Sequence, residues 1–433
     1  MSSDDPLRLP GSRAEVTEIQ RALKIEAVEK ARRSPFWRDK LAGIDTTRLD
    51  DPAEWRRIPI LDKEMLRALS AEDFYGRFCH GPKAEIAEYW RSGGSTGKPL
   101  FYPRSHADID WGMVGFNRVF ASAGAAPGQT AHNSFPLGIH PAGHMMARSG
   151  EIMGVGMAWV GAGAAAPSAV QLQLIQMLRP DIWTGMSSYG VHLANLADAE
   201  GLDLAAGPVS RIICTAEPLS AAKRAKLERG WGAAVYDSFG MTECTMMAAE
   251  GAARDGLRIW TDLAFIEVVD EVTNEPVPPG TPGALIVTAL RTNNATPFLR
   301  WASGDIVTYH EDGETDDALS LFPMIRHAHR TAGFFKVKGV NINHSEFEDF
   351  LFAFAAVNDF QAKAIETDGL DQLRLSLELA RGADPARTAE TVGMAIKATF
   401  ELTAEIEVLA SGTLAKQFES SVKAPRFVDE RQK

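Results

Sequence analysis

Cysteine and long apolar runs are scarce in this chain of 433 residues. The three cysteines, Cys79, Cys214 and Cys244, are too scattered for a disulfide framework and form no CxxC or Cys/His ligand spacing. No uninterrupted apolar run reaches the roughly 18 residues that a membrane-spanning helix needs. The N-terminal sequence MSSDDPLRLP lacks the basic and then apolar layout of a signal peptide. These absences predict a cytoplasmic protein.

Positive charge is also in deficit, because the formal net charge is -12 at pH 7. Proteins that bind nucleic acids or anionic membranes gain affinity by replacing counterions with Lys and Arg. The charge therefore argues against nucleic acid or a membrane as a partner. Apolar residues at 45% and charged residues at 24% are typical of globular proteins. The length exceeds what one hydrophobic core usually organises, which predicts two or three domains.

The sequence pattern predicts an α/β fold with a β-rich region and a small C-terminal domain. Residues 15–42 carry apolar side chains near helical spacing. From about 130 to 290, short apolar runs alternate with helical patterns, as in parallel sheets with flanking crossover helices. After Glu271 the sequence NEPVPPGTPGALIVTAL predicts a hairpin-bearing β region. The C-terminal residues predict an α+β domain of order β-α-β-α-β, with helices at 344–357 and 387–401.

A glycine-rich segment, SGGSTGKP at 92–99, offers backbone N–H groups, hydroxyls and a lysine, which are the groups that cradle phosphate oxygens. Its spacing differs from that of a nucleotide-triphosphatase P-loop, because Ser92 stands where glycine is required and Pro99 replaces a serine or threonine. The mismatch weakens a kinase or GTPase function. Taken alone, such a segment is more typical of a solvated turn.

Two further segments carry groups suited to a nucleotide. The sequence YDSFGMTE at 236–243 places an aromatic face, a hydroxyl and a carboxylate together, for adenine, phosphate and Mg²⁺. Alone, it is more typical of a strand end followed by a capped helix. The sequence RWASGD at 300–305, with Arg330 further on, offers a carboxylate and a guanidinium for ribose hydroxyls. Alone, SGD is a common turn.

Together, and in this order, these segments resemble the adenylate-forming superfamily of acyl-CoA synthetases, adenylation domains and luciferases, and specifically its phenylacetate-CoA ligase branch. The resemblance covers nearly the whole chain. It includes IQRALKIEAVEKARRSPFWRDKL, IPILDKEMLR, SFPLGIHPAGHMMARSGEIMG, TAEPLS and SSVKAPRFVDER. It implies ATP-dependent activation of an organic acid to an acyl-adenylate, followed by thioester formation with coenzyme A.

The resemblance implies a role for each motif residue. The β- and γ-phosphates would be held by Ser92, Gly93, Gly94, Ser95, Thr96, Gly97 and Lys98. The rest of the nucleotide would be bound by Ala216, Glu217, Pro218, Asp237 and Phe239, with Asp305 and Arg330 on the ribose. Thr242 would touch the α-phosphate, Glu243 would hold Mg²⁺, and Lys423 would be the adenylation lysine.

The resemblance also implies an ATP- and acid-binding domain over residues 1–329 and a small mobile domain over 330–433, which carries the lysine and rotates between half-reactions. The family usually follows its ribose-binding arginine with two acidic residues, whereas this chain has Arg330-Thr-Ala332-Gly333. Some relatives carry a Cys/His zinc cluster after the Glu243 region. Residues 245–262 contain neither residue type, so no zinc is expected.

In this branch the acid pocket is expected from residues 135–145, 159–163 and 186–189. The candidate pocket residues are Phe135, Pro136, Gly138, His140, His144, Gly161 and Tyr189. The two histidines, four apart, would suit a metal or a substrate carboxylate, although such a pair is more often structural. Aromatic and methionine side chains here indicate an aryl or arylacetic acid, and ordinary core packing explains them equally well.

Two alternatives stay open alongside an aryl-acid CoA ligase. The missing hinge acid is compatible with an adenylating enzyme that passes its acyl group to a carrier-protein thiol or an amine. A catalytically silent nucleotide-binding homologue is a different class, and the retained lysine, glutamate, aspartate and complete loop argue against it. Family analogy allows a homodimer, but the sequence carries no interface signal for one.

Overall fold

The computed structural model describes residues 5–91, 100–163, 166–311, 319–330, 334–338, 340–367, 370–418 and 426–431. The predicted phosphate loop from Ser92 to Lys98, the predicted lysine Lys423 and the hinge residues 331–333 lie outside the described residues. In the described ranges, none of the helices combines the length and apolar character needed to cross a bilayer.

The helices are α1 (Arg13–Ala31), α2 (Pro35–Arg38), α3 (Pro52–Trp55), α4 (Lys63–Arg67), α5 (Ala71–Asp73), α6 (His106–Ser122), α7 (Pro141–Ile152), α8 (Ser168–Leu178), α9 (Ser187–Glu200), α10 (Ala221–Trp231), α11 (His344–Phe352), α12 (Pro385–Phe400) and α13 (Thr413–Phe418).

The strands are β1 (Ile86–Arg91), β2 (Phe101–Ser105), β3 (Thr130–Asn133), β4 (Gly156–Trp159), β5 (Ile182–Gly185), β6 (Arg211–Cys214), β7 (Ala234–Met241), β8 (Thr245–Glu250), β9 (Leu257–Ile259), β10 (Ala264–Val269), β11 (Gly283–Ala289), β12 (Trp301–His310), β13 (Met324–Arg330), β14 (Phe334–Val337), β15 (Val340–Asn343), β16 (Val357–Thr367), β17 (Leu370–Leu379), β18 (Ala404–Leu409) and β19 (Phe427–Asp429).

The chain forms two compact units. The first unit comprises Met1–Gln129, Leu137–Met157 and Tyr236–Thr331, and the second comprises Thr130–Pro136, Ala158–Val235 and Ala332–Lys433. The division at 329/330 into two functional domains stays a prediction.

The first unit contains an antiparallel sheet in the order β10-β11-β12-β13-β9-β8-β7, together with the β1–β2 hairpin. The hairpin of β10 and β11 pairs Ala264 with Ala289 and spans the proline- and glycine-rich sequence, which confirms the predicted β region. A buried aromatic cluster packs against this sheet. The ring of Tyr102 lies edge-on to Phe298 at 5.3 Å, and Phe78 contacts Phe298 at 5.6 Å. Such packing fixes the direction of the Tyr102 hydroxyl.

The second unit contains the parallel strands β3, β5 and β6, with α9 as the crossover between β5 and β6. Helix α9 ends at Gly201, whose φ of 75° is the left-handed cap conformation that glycine adopts without strain. The parallel strands and crossover helix confirm the predicted α/β class.

The C-terminal part of the second unit contains a sheet in the order β18-β17-β16-β19 and the helices α11 and α12. The predicted order β-α-β-α-β was wrong here, because it lacks β15, β16, α13 and β19. Strand β16 is nearly continuously buried and pairs along its length with β17. Its sequence VNDFQAKAIET alternates apolar and polar residues from Phe360 to Ala364, but it is rich in Asn, Asp, Ala, Lys and Glu, which strands disfavour.

Candidate active site

Thr242 and Glu243 lie in the tight turn between β7 and β8 of the first unit. The two strands form an antiparallel hairpin in which Met241 pairs with Thr245. The strand-then-helix alternative for this motif was therefore wrong. A Cβ on Gly240 would lie 2.6 Å from the carbonyl oxygen of Thr245, so only glycine allows the two strands to approach this closely.

The Glu243 carboxylate is held inside this turn by residues of β2. The Tyr102 hydroxyl donates to Oε1 of Glu243 at 3.1 Å. The guanidinium of Arg104 donates to the carbonyl oxygen of Glu243 at 2.7 Å and also to that of Thr242. The sequence analysis did not identify either partner, because both precede the turn by about 140 positions and β2 carries no recognisable motif.

The electrostatic state of Glu243 follows from its burial. The residue is 7% exposed and has no salt bridge among the described residues. Burial raises the pKa of the carboxyl group, while a backbone hydrogen bond and the Tyr102 hydroxyl oppose this rise. The ionised carboxylate is therefore under-compensated.

An oxygen donor of this kind fits Mg²⁺, which is commonly held by one or two carboxylates together with substrate phosphates and water. The described residues contain no group of three or more His, Cys, Asp and Glu side chains able to enclose a metal ion. The remaining ligands would accordingly come from the nucleotide. Glu243 is thus suited to a metal that arrives with its substrate.

The predicted adenine and ribose residues of the first unit lie on three strands. Phe239 of β7 is largely buried, and its ring lies edge-on to the His327 ring of β13 at 5.0 Å. The backbone N–H of Asp237 donates to Glu250 at 2.8 Å. Asp305 and Arg330 are direct cross-strand neighbours on β12 and β13. The two ribose candidates are thereby brought together although they are 25 positions apart in the chain.

In the second unit, Ala216 has a φ of 73°, and this bend directs the Glu217 side chain toward the N-terminus of α9. Its carboxylate accepts from the Ser187 hydroxyl and the Ser188 backbone N–H, both at 3.1 Å, and from the Ser188 hydroxyl. The residue before α9, Met186, offers no side-chain cap. Glu217 therefore caps α9, a structural function that sequence reasoning missed. Its predicted adenine contact, like that of Pro218, stays a prediction.

A buried ionic network extends from Glu217 within the second unit. The Lys223 ammonium lies 3.9 Å from Glu217 and 2.5 Å from Glu348 of α11. Arg426 lies 3.5 Å from Glu348 and binds Asp359 at 2.8 Å. The network joins the TAEPLS segment to the C-terminal part of the chain. No sequence spacing indicated it, since its members come from four separate segments.

Two predicted acid-pocket residues of the second unit, Phe135 and Gly161, share a backbone frame around Asn133. The Asn133 side chain accepts from the backbone N–H of Phe135 at 3.2 Å, and its backbone carbonyl accepts from Gly161 at 2.9 Å. Tyr189 lies in the first turns of α9 and is 6% exposed. Pro136 follows Phe135 directly. Their common contact with an acid stays a prediction.

The other predicted pocket residues lie in the first unit, around the start of α7. A ring nitrogen of His140 lies 3.2 Å from the Arg91 carbonyl, and one of His144 lies 3.0 Å from that of Gly138. Both contacts serve backbone oxygens. They favour the structural explanation of the histidine pair over the metal-binding one.

The sheets with flanking helices define an α/β fold, and the buried glutamate at a hairpin turn and the Asp305–Arg330 pair are groups of a kind that suits a nucleotide. Residues 82–290 match the family described as AMP-binding enzyme. Over 377 residues the chain is 29% identical to a phenylacetate-coenzyme A ligase of Thermus thermophilus, covering 84% of this chain and 82% of the relative. It is 25% identical to one of Pseudomonas putida over 92% of this chain and 90% of the relative.

Among solved structures, a 2-hydroxyisobutyryl-CoA ligase in the postadenylation state has a similar fold, with a TM-score of 0.84 and 22% identity over 99% of this chain and 96% of that chain. The chain is thus similar to AMP-binding enzymes over residues 82–290 and to phenylacetate-coenzyme A ligases over most of its length, and it shares the fold of a solved acyl-CoA ligase. The resemblance predicted from the sequence is confirmed.

Proposed function

We propose that this enzyme activates an organic acid with ATP, forming an acyl-adenylate and pyrophosphate, and then transfers the acyl group to coenzyme A with release of AMP. The observation that carries the proposal is the buried Glu243 turn in a chain similar to phenylacetate-coenzyme A ligases over most of its length. An acid-thiol ligase of the AMP-forming type is the function that this combination supports best.

The chemistry requires a carboxylate to attack the α-phosphate of ATP against strong like-charge repulsion. When bound, Mg²⁺ would supply positive charge to the phosphate oxygens at the Glu243 carboxylate. Tyr102 and Arg104 keep that carboxylate and the Thr242 backbone in fixed positions, so that no reorganisation is needed during the reaction. Asp305 and Arg330 would hold the ribose and align the α-phosphate.

The acid is proposed to be aryl or arylacetic. Support comes from the names of the relatives and from the aromatic and glycine residues of the second-unit frame. Gly161 and Gly163 have φ angles of 76° and 103°, and a Cβ on Gly163 would meet no atom within 4 Å. Backbone without side chains at these positions leaves space for a flat ring.

The test is acid-dependent exchange of pyrophosphate into ATP, measured with benzoic, arylacetic and short aliphatic acids. Exchange with one acid class is expected, and added coenzyme A should then yield the thioester and AMP. Exchange without thioester formation would show that coenzyme A is not the acyl acceptor, and a carrier protein or an amine would then be tested as the acceptor. No exchange with any acid, despite ATP binding, would refute acid activation for this panel.

A further inference from the structure

The side-chain amide of Gln171 lies at the centre of the second unit's predicted acid-pocket frame. Gln171 belongs to α8 and is 0% exposed. Its Nε2 lies 2.6 Å from the Gly161 carbonyl, 3.0 Å from the Tyr189 hydroxyl and 3.2 Å from the Ala166 carbonyl, so its two N–H groups serve three acceptors and one of them is shared. One amide therefore joins Gly161 and Ala166 to the start of α9.

The oxygen of the same amide also has hydrogen-bond partners. The Ser134 hydroxyl donates to Oε1 of Gln171 at 2.5 Å, and Nε2 of His132 lies 3.0 Å from the same oxygen. Backbone carbonyls only accept, so the two near Nε2 fix the orientation of the amide. The Gln171 oxygen then requires His132 to carry its proton on Nε2. Burial lowers the pKa of His132, which keeps the ring neutral and the arrangement constant.

The Gly161 segment is held from both sides by this frame. Its N–H donates to Asn133 at 2.9 Å, and its carbonyl accepts from Gln171. With a φ of 76° the segment follows a path that other residues rarely adopt. Its position therefore depends on these two hydrogen bonds.

The Tyr189 hydroxyl is saturated by protein groups. It accepts from Gln171 and shares a hydrogen bond of 3.0 Å with the Ser168 hydroxyl. The Tyr189 ring also stacks on His192 with a centroid separation of 5.5 Å. A phenol with one proton and these two partners has little capacity left for a polar substrate group. Tyr189 therefore offers an acid its ring and not its hydroxyl.

We propose that Gln171 is a specificity-determining positioning residue of the acid site. It fixes the Gly161 backbone and the Tyr189 ring, so that this wall accepts a flat apolar group and discriminates against hydroxylated acids. This inference rests on the proposed function. It assigns part of the enzyme's substrate preference to one buried amide group. A buried polar side chain costs stability unless its hydrogen bonds are made, which is the physical reason why both ends of the Gln171 amide have partners.

The experiment compares Gln171→Met, which preserves volume but removes the hydrogen bonds, with Tyr189→Phe, which removes only the phenol link. Gln173→Met is the matched control, because Gln173 is exposed on the same helix. Pyrophosphate exchange is measured with phenylacetate and 4-hydroxyphenylacetate, giving separate KM values for acid and ATP, and folding is checked by thermal unfolding. Wild-type enzyme is measured first, so that its inactivity with both acids counts against the proposed function.

For Gln171→Met we expect the phenylacetate KM to rise about tenfold with the ATP KM within about twofold, and the preference over the hydroxylated acid to fall. Tyr189→Phe should give a smaller change in the same direction. The proposal would be overturned if Gln171→Met had the same phenylacetate KM and the same preference between the two acids as Gln173→Met. Equal rises in the KM for acid and the KM for ATP would also overturn it. If Gln171→Met does not fold, Tyr189→Phe provides the test. An unchanged preference between phenylacetate and 4-hydroxyphenylacetate in that variant would then overturn the proposal.

Discussion

Replacing Glu243 by glutamine should make the protein more stable while it removes activity. Burial raises the pKa of this carboxyl group. A group with a raised folded-state pKa contributes its stabilisation fully below its unfolded-state value, about 4.3 for glutamate, and loses it as the pH rises through the folded value. At pH 7 the ionised carboxylate therefore lowers the free energy of unfolding, and an uncharged glutamine does not.

The magnitude follows from the contacts of the side chain. The amide oxygen of glutamine would still accept from the Tyr102 hydroxyl, so the 3.1 Å hydrogen bond is preserved. A buried polar group that is poorly compensated costs about 1–3 kcal/mol, and the new amide N–H groups recover part of that cost. We expect a net gain of about 1 kcal/mol, or a rise in Tm of about 2 °C. Loss of the Mg²⁺ ligand should slow adenylation by at least about a hundredfold.

The assay is thermal unfolding of both proteins without nucleotide, beginning near the unfolded-state pKa at about pH 4 and extending to about pH 8, beside pyrophosphate exchange. The stability advantage of Glu243→Gln should grow with pH. Glu88→Gln is a control of opposite sign, because partial burial of Glu88 is outweighed by Arg148, which lowers its pKa. Its ionised form is therefore stabilising above the unfolded-state pKa. Destabilisation of Glu243→Gln by more than about 1 kcal/mol, or wild-type exchange rates, would refute the reasoning.

Three further predictions concern the second unit. Arg426→Met leaves Asp359 buried without its 2.8 Å ion-pair partner, and should lower the free energy of unfolding in urea by about 3–5 kcal/mol; a change below about 1 kcal/mol would contradict it. Glu217→Gln weakens the cap that accepts from Ser188 and should cost about 1–2 kcal/mol in the same assay, with greater hydrogen exchange at the start of α9; unchanged exchange there would contradict the capping function. Burial lowers the pKa of Lys226 to about 8, so below that pH the charged ammonium group lowers the free energy of unfolding. Lys226→Met should raise Tm at pH 7 by an amount that shrinks toward pH 10, and a pH-independent difference would contradict the assignment.

Much of the fold was predictable because local patterns carry it. Alternating apolar runs and helical spacing indicated β5, α9 and β6, and Gly201 marked the helix end. The proline- and glycine-rich stretch indicated the β10–β11 hairpin. Strand β16 was missed because its sequence is rich in residues that strands disfavour, and its pairing with β17 is a tertiary contact that outweighs this preference.

The residue types of the site were also determined by the sequence. The carboxylates of Glu217, Glu243 and Asp305 and the guanidinium of Arg330 are present whatever the chain's path. Their chemical capacities follow from the side chains alone, and their order along the chain indicated the family. The sequence thereby determined the class of reaction.

Only the tertiary structure decided which distant groups control those side chains. Tyr102 reaches Glu243 across 141 positions, and Gln171 joins residues from Ser134 to Tyr189 through one buried amide. Side-chain direction, burial and hence pKa depend on how separate segments pack, and no local spacing encodes that packing. The sequence determines the groups available for chemistry, and the packing determines their orientation, their charge cost and the shape that they present to a substrate.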